Sequence, residues 1–286
     1  MTRGQGESLW ADARRRLLQN RAAVLGLCVT GALLVAAALT PWISPYAYDE
    51  QDLNLGASPP TRAHLFGTDS LGRDLLTRML YGSRISLVVG LLATLVSMII
   101  GITYGAVSGY LGGRWDAVMM RLVDILYSLP FIFFVIILMV YFGRNIVNLF
   151  VALGCVQWLT TARIVRGQVL TLKQKEFVEA AVAMGVSTPG IVFRHLVPNV
   201  LGPIIVYATL TVPAVMLEEA FLSFLGLGVQ PPNCSWGILI AEGVKHMELE
   251  SWLILFPGFF LSLTLFSLNF LGDGLRDALD PKYRAD

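Results

Sequence analysis

Six stretches of mostly apolar residues divide the chain, and polar or charged segments separate them. A helix needs about 20 apolar residues to cross a bilayer, and each stretch has roughly that length. The predicted spans lie near 22–43, 85–108, 118–142, 147–168, 200–222 and 252–272. We therefore expect an all-α, polytopic membrane protein with about six transmembrane helices.

A long polar interruption separates the fourth and fifth spans, over residues 171–199. Its pattern predicts two short helices joined by a tight turn, with Gly185 as the left-handed residue that ends the first helix. Ser187 or Thr188 is expected to cap the second helix. That helix is predicted to end at Pro198, because proline disfavours helical geometry in the preceding residue. A compact helix pair between two spans indicates a contact with another protein.

Basic residues set the orientation of a chain in the membrane, because cytoplasmic loops are enriched in Lys and Arg. Four arginines stand at or before the start of the first span: Arg14, Arg15, Arg16 and Arg21. The N-terminal tail, 1–21, is therefore predicted to be cytoplasmic. Four crossings then place 171–199 in the cytoplasm, and six crossings place the C-terminal tail, 273–286, there as well.

Two longer segments are expected on the outer side, at 66–84 and 223–250. The first carries Leu75 and Met79 at helical spacing, with Arg78 on the opposite face. This pattern is typical of an amphipathic helix that lies along a membrane surface before the second span begins. The second span is rich in glycine and alanine, which indicates close packing against other helices.

Composition agrees with a membrane domain and argues against several other classes of protein. Hydrophobic residues make up 55% of the 286 residues and charged residues 14%, against about 25% charged in soluble proteins. The net charge of +1 gives no signal for nucleic-acid binding. Cys28 and Cys155 fall in predicted spans and Cys234 in a loop, so no disulfide framework is indicated.

The sequence lacks the motifs of ATP hydrolysis and of metal-dependent catalysis. It contains no GxxxxGK[ST] phosphate-binding loop and no Gly–Lys pair, so we expect no ATP site of that type in this chain. HExxH and CxxC are also absent, and the histidines fall in different loops. We therefore expect neither catalytic residues nor a metal or other cofactor in this chain.

Three acidic residues fall inside predicted spans, where an ionisable side chain is a functional candidate. Asp124 stands three residues after Arg121, so the two side chains either pair on one helix face or contribute to a pathway. Glu218 and Glu219 stand near the outer end of the fifth span. They are predicted either to bind a cation or a peptide amino group at the mouth of a pathway, or to be exposed to water at the interface.

The polar interruption resembles the EAA motif of ABC-importer membrane subunits. The matching residues are Glu179, Ala180, Ala181, Gly185, His195 and Pro198. The family often has isoleucine where His195 stands, although histidine before a Leu/Ile–Val–Pro–Asn run is common in its peptide branch. Further stretches that resemble this branch are FGTDSLGRDLLTRMLYGSRISL, FLSFLGLGVQPP and NFLGDGLRDALDPK. The opening LWADARRRLLQNRAAV resembles the C-type subunit of oligopeptide importers.

This resemblance implies the type I ABC-importer permease fold and a multi-pass protein of the bacterial cytoplasmic (inner) membrane, surrounded by lipid. It implies a second, B-type permease subunit, two cytoplasmic ATPases that bind ATP and Mg²⁺, and an extracytoplasmic peptide-binding protein. The EAA segment would be the coupling helix, seated in a groove on an ATPase and moving as a rigid body. The outer segments 66–84 and 223–250 would face the binding protein.

Other functions stay open at this point. A stand-alone secondary transporter would use a chain of buried acids or histidines across the membrane, and the sequence shows neither that chain nor a convincing internal repeat. A membrane-embedded enzyme would need a catalytic constellation such as HExxH. Within the family, dipeptide and nickel importers share most of the motifs quoted above, so they remain alternatives to an oligopeptide importer.

Overall fold

The computed structural model describes residues 9–279, and the regular secondary structure in this range consists of helices, joined by loops that contain one isolated β-bridge. The helices are α1 (Leu9–Gln19), α2 (Arg21–Ile43), α3 (Leu75–Leu111), α4 (Gly113–Ser128), α5 (Phe131–Phe142), α6 (Ile146–Leu172), α7 (Glu176–Ala183), α8 (Thr188–Phe224), α9 (Trp236–Val244) and α10 (Trp252–Leu279). The predicted all-α class is confirmed. Of the two predicted tails, residues 1–8 and 280–286 lie outside the described residues. Residues 9–19 of the N-terminal tail form α1, and residues 273–279 of the C-terminal tail continue α10.

Five helices are long and apolar enough to cross a membrane, namely α2, α3, α6, α8 and α10. Together α4 and α5 make a sixth candidate that is bent by 86°. The predicted span at 118–142 is therefore divided by a bend between α4 and α5. Proline disfavours helical geometry in the residue before it, and Leu129, before Pro130, is extended with ψ at 132°. The predicted number of about six spans agrees with this arrangement.

Helix α3 is one continuous helix of 37 residues. Its N-cap residue is Asp74, whose side chain accepts a hydrogen bond from the Thr77 N–H at 2.8 Å. The predicted separate surface helix at 66–84 is therefore wrong: 66–74 are loop, and the rest is the first part of α3. The amphipathic pattern there has another cause, since Arg78 is only 3% exposed and lies inside the protein.

Helices α3 and α6 pack against each other with their backbones close together. A Cβ atom on Gly105 would lie 2.3 Å from the Ala162 carbonyl oxygen, and one on Gly101 would lie 2.5 Å from the Thr161 Cβ. The hydroxyls of Ser97 and Thr161 are hydrogen-bonded at 3.0 Å in the same contact. These glycines permit an approach that larger residues would block, as the small residues of the second span predicted.

The buried side chains form three clusters along the helices. The first joins the N-terminal part of α3 to α9 and α10 around Trp236. The second lies among α3, α5, α6 and α8. The third joins the C-terminal part of α3 and the end of α6 to α7 and the start of α8, and it includes Val178, Ala181 and Leu196. The polar interruption is therefore part of the packed protein, because its apolar side chains complete this third cluster.

Candidate functional site

The predicted coupling segment, residues 171–199, contains the last residues of α6, the helix α7 and the first turns of α8. Helix α7 ends in a Schellman motif: the Val186 N–H donates to the Ala181 carbonyl at 3.1 Å, and the Gly185 N–H donates to the Val182 carbonyl at 2.9 Å. Gly185 has φ at +77°, a conformation that side-chain-bearing residues rarely adopt. The predicted left-handed turn at Gly185 is confirmed.

The second part of the segment departs from its predicted form. Ser187 is the residue before α8 but makes no side-chain capping hydrogen bond. The helix does not end at Pro198 as predicted; it runs on without a break to Phe224. A widened π-helical turn, Ile191–Leu196, precedes Pro198. In this turn the Val197 N–H donates to the Val192 carbonyl five residues earlier, and the helix continues through Pro198.

The two alanines of the EAA residues have different surroundings on α7. Ala181 is 1% exposed and packs in the third cluster with Val178. Ala180 and Glu179 are exposed. His195 is half-buried in the π-helical turn, and its carbonyl accepts a hydrogen bond from the Asn199 side chain at 2.6 Å.

The exposed side of the coupling segment also carries apolar side chains that the sequence analysis did not single out. They are Phe177, Val182, Met184 and Phe193, whose exposed fractions are 39, 53, 74 and 48%. The sequence feature that could have identified them is the presence of apolar residues within an otherwise polar interruption. An exposed apolar patch of this kind is typical of a contact surface for another protein.

Two polar contacts hold the end of α6, where the coupling segment begins. The Arg166 guanidinium forms a bidentate ion pair with Asp116 on α4, and the Ser108 hydroxyl donates to the same carboxylate at 2.6 Å. The Lys173 ammonium donates to the Tyr110 carbonyl. These contacts fix the position of the coupling segment relative to α3 and α4.

Asp124 pairs with a different arginine from the one predicted. Its Oδ1 accepts a hydrogen bond at 2.8 Å from Arg163 on α6, so the prediction of a pair with Arg121 on its own helix is wrong. The Arg163 guanidinium also lies over the Tyr127 ring, 4.4 Å from the centroid. Both charged side chains of the pair are substantially exposed, at 39 and 54%.

Glu218 and Glu219 lie on α8 in different surroundings. Glu219 is 1% exposed, so the reading of exposure to water is wrong for this residue. Glu218 is half-buried and accepts a hydrogen bond from the Gln157 amide on α6 at 2.7 Å. Within residues 9–279, no three His, Cys, Asp or Glu side chains form a group that could hold a metal ion.

The two predicted outer segments contact each other directly. The Arg78 guanidinium bridges Asp69 and Glu242, at 2.6 and 2.7 Å. The Trp236 indole donates to the Met79 carbonyl at 3.1 Å and its backbone N–H to the Ser86 hydroxyl at 3.0 Å. A cavity of about 240 Å³ lies beside the charged group. These contacts hold the start of α3 against α9.

Two family models match the chain. Residues 101–285 match the binding-protein-dependent transport system inner membrane component. Residues 8–60 match the N-terminal TM domain of oligopeptide transport permease C. The first match alone covers more than half of the chain.

Individual relatives agree with these matches. The chain is similar to the oligopeptide transport system permease protein OppC of Escherichia coli (strain K12), with 58% identity over 98% of this chain and 93% of that protein. OppC of Haemophilus influenzae is 53% identical over 98% and 91%. The dipeptide transport system permease protein DppC of Bacillus subtilis is 48% identical over 96% and 86%.

The fold is similar to that of a chain in an inward-facing structure of the MetNI methionine ABC transporter. The TM-score is 0.54, and the match covers 70% of this chain and 94% of that chain at 18% identity. A likeness at this identity concerns the fold alone, and it confirms the predicted type I importer permease fold. The chain belongs to the binding-protein-dependent transport system inner membrane components, the permease subunits of ABC importers, and it resembles the C-type subunits of oligopeptide permeases.

Proposed function

We propose that the protein is the C-type permease subunit of an ATP-driven importer that moves oligopeptides into the cytoplasm. The observation that carries the substrate class is 53–58% identity, over 98% of the chain, to permeases named for oligopeptide transport. The dipeptide permease at 48% identity makes dipeptide import the second candidate. Nickel import is a third outcome that a substrate test separates from both.

The proposed assembly follows from the family. A B-type permease subunit completes the pathway, two cytoplasmic ATPases bind ATP and Mg²⁺, and an extracytoplasmic binding protein delivers the peptide. Both termini of this chain and the coupling segment face the cytoplasm of a bacterium, and the spans lie in its inner membrane. The arginines before α2 support this orientation.

The coupling segment is proposed as the contact with an ATPase. Phe177 and Val182 on the short helix α7 and Met184 directly after it expose apolar side chains, and an apolar helix face of this kind can bind in a groove on a partner. Val178 and Ala181 attach the same helix to the core of the permease. A force on α7 is thereby passed to α8, because both belong to the third buried cluster.

A reconstituted importer tests the coupling role. Glu179→Lys and Gly185→Asp are expected to leave the protein folded and inserted but to separate peptide uptake from ATP hydrolysis. Uptake and ATPase rate are measured in the same proteoliposomes. Gln174→Lys is the control, since it introduces the same lysine side chain at another exposed position of the segment, although it changes the charge by one unit and not by two. Wild-type uptake in both coupling variants would overturn the proposal.

Growth tests the substrate class. A strain that lacks this chain is supplied with an essential amino acid as a dipeptide, a tripeptide or a pentapeptide. Loss of growth on the longer peptides, restored by the chain, supports oligopeptide import. Loss on dipeptides alone favours the second candidate, and loss of nickel-dependent activity alone favours the third.

A further inference from the structure

Two adjacent carboxylates on α8 have opposite surroundings. The Glu219 Oε1 accepts hydrogen bonds at 2.7 Å from the hydroxyls of Ser223, one turn later, and Ser235, the N-cap of α9. With 1% of its surface exposed, Glu219 joins α8 to α9 inside the protein. This residue therefore has a structural position and no access to a ligand.

Glu218 is held at one oxygen only. Its Oε1 accepts the hydrogen bond from Gln157 at 2.7 Å. Its Oε2 is shielded from solvent and has no hydrogen-bond partner within residues 9–279. A carboxylate inside a membrane-spanning segment is costly unless a cation pairs with it, and an amide supplies no charge. The unused oxygen is thus the half of the group that a cationic partner would complete.

The surface beside Glu218 is left uncovered by this chain. Leu217 and Phe221, at the preceding position and one turn later, are 57 and 51% exposed. Ala214, one turn earlier, is exposed as well. Glu218 therefore lies at the edge of an open face of α8, where its shielded Oε2 reaches a ligand when the side chain turns outward, whereas Glu219 is enclosed in the contact with α9.

We propose that Glu218, oriented by Gln157, binds the ammonium group of the peptide during its passage. This inference rests on the proposed import of oligopeptides and names the chemistry that the pathway recognises. Every unmodified peptide has an α-ammonium whatever its sequence, so one carboxylate serves varied substrates. An ammonium has three donors and can bond to a carboxylate and a neighbouring amide oxygen together. A single carboxylate also binds weakly enough to release its ligand, as a pathway requires.

Glu218→Gln in the complete reconstituted importer tests the proposal. The new amide oxygen can still accept the hydrogen bond from Gln157, so the substitution removes charge while keeping shape. With saturating binding protein, we expect the maximal uptake rate of trialanine to fall at least fivefold, with Glu218→Asp recovering part of it. Glu219→Gln is the matched control one residue away and is expected to stay within twofold of wild type.

A second comparison identifies which ammonium is bound. Each rate is divided by the wild-type rate on the same peptide. A loss in Glu218→Gln confined to peptides with a free amino terminus assigns the α-ammonium. A loss confined to lysine-containing peptides leaves trialanine unaffected, so it overturns the proposal and assigns the lysine side chain instead. Trialanine uptake within twofold of wild type overturns the proposal. So does an equal loss on an N-acetylated peptide without lysine, which carries no ammonium.

The proposed function is checked separately in the same preparation. Wild-type importer must take up trialanine and hydrolyse ATP in response to the binding protein. If it does neither, the proposed function fails, whatever the Glu218 variants do. Equal thermal unfolding of wild type and Glu218→Gln shows that a loss of uptake does not come from misfolding.

Discussion

The Arg78 guanidinium donates a hydrogen bond of 2.6 Å to the Asp69 carboxylate, and the two residues are only 3 and 5% exposed. Asp69 also accepts from the Arg73 side chain at 2.7 Å and from two backbone N–H groups. The same Nη1 of Arg78 also donates at 2.7 Å to Glu242, whose side chain is 40% exposed. A loop before α3 and the helix α9 are thus joined through one buried cation.

Arg78→Met should destabilise the protein by about 3 kcal/mol, because removing one partner leaves a buried charge without full compensation. Asp69 keeps Arg73, which places the effect at the lower end of the range for buried pairs. Thermal unfolding in detergent micelles measures it. The exposed Arg62→Met is the control. Equal unfolding temperatures for the two variants would show that the buried pair contributes little.

Gly105 sets the distance between α3 and α6. Gly105→Ala should destabilise by about 2 kcal/mol, since its Cβ would lie 2.3 Å from the Ala162 carbonyl oxygen and the backbones must separate. Gly31→Ala on α2 is the matched control, because nothing lies within 4 Å of its added Cβ. The control should be neutral or stabilising by up to about 1 kcal/mol. The same sign in both variants would contradict the packing argument.

Local features of the chain were predictable because their causes are local. The length of each apolar run gives the number of spans, and the φ of +77° at Gly185 follows from a helix that ends beside a glycine. The helix break before Pro130 has a local cause as well, since proline disfavours helical geometry at Leu129. At Pro198 the local rule failed, because the helix passes from the π-helical turn Ile191–Leu196 directly into the next span.

Contacts between distant residues were not predictable from spacing. Asp124 has an arginine three residues earlier, yet its partner is Arg163, 39 positions away. The pattern at the start of α3 suggested a helix facing water on one side. Arg78, on the polar side of this helix, instead donates a hydrogen bond to the buried carboxylate of Asp69 in another segment. Which helices pack together decides such pairs, and a single sequence contains no direct record of that.

Cys234 should be inert to maleimide in the folded protein. Its thiol is 1% exposed and donates to the Arg78 carbonyl at 3.3 Å. Burial raises the pKa of the Cys234 thiol, and a higher pKa lowers the fraction of reactive thiolate at any given pH. Labelling at pH 7.5 is followed by mass spectrometry in protein whose other cysteines are replaced by serine.

The control for this labelling is Ser70→Cys in a background without Cys234. Ser70 is exposed and lines the cavity beside Arg78. It should label at least tenfold faster than Cys234. Combining Cys234 with Arg78→Met should raise its rate, because the contact between α3 and α9 is loosened. Equal rates at the two positions in the Arg78 wild type would show that the outer contact is open in solution.

Gly185 is constrained by backbone conformation and not by space, because nothing lies within 4 Å of an added Cβ. Substitutions should therefore rank by their tolerance of positive φ: asparagine best, alanine worse by about 1 kcal/mol, valine worst. Loss of the turn weakens the two hydrogen bonds that end α7 and lets the exposed EAA residues shift at the proposed contact with an ATPase. Peptide uptake per ATP hydrolysed should fall in the same order.

Gly167→Ala and Gly167→Val are the controls, since Gly167 lies in α6 with helical geometry and equally open space. A fall in coupling that followed side-chain volume, with asparagine as damaging as valine, would assign the effect to the contact surface instead of the turn.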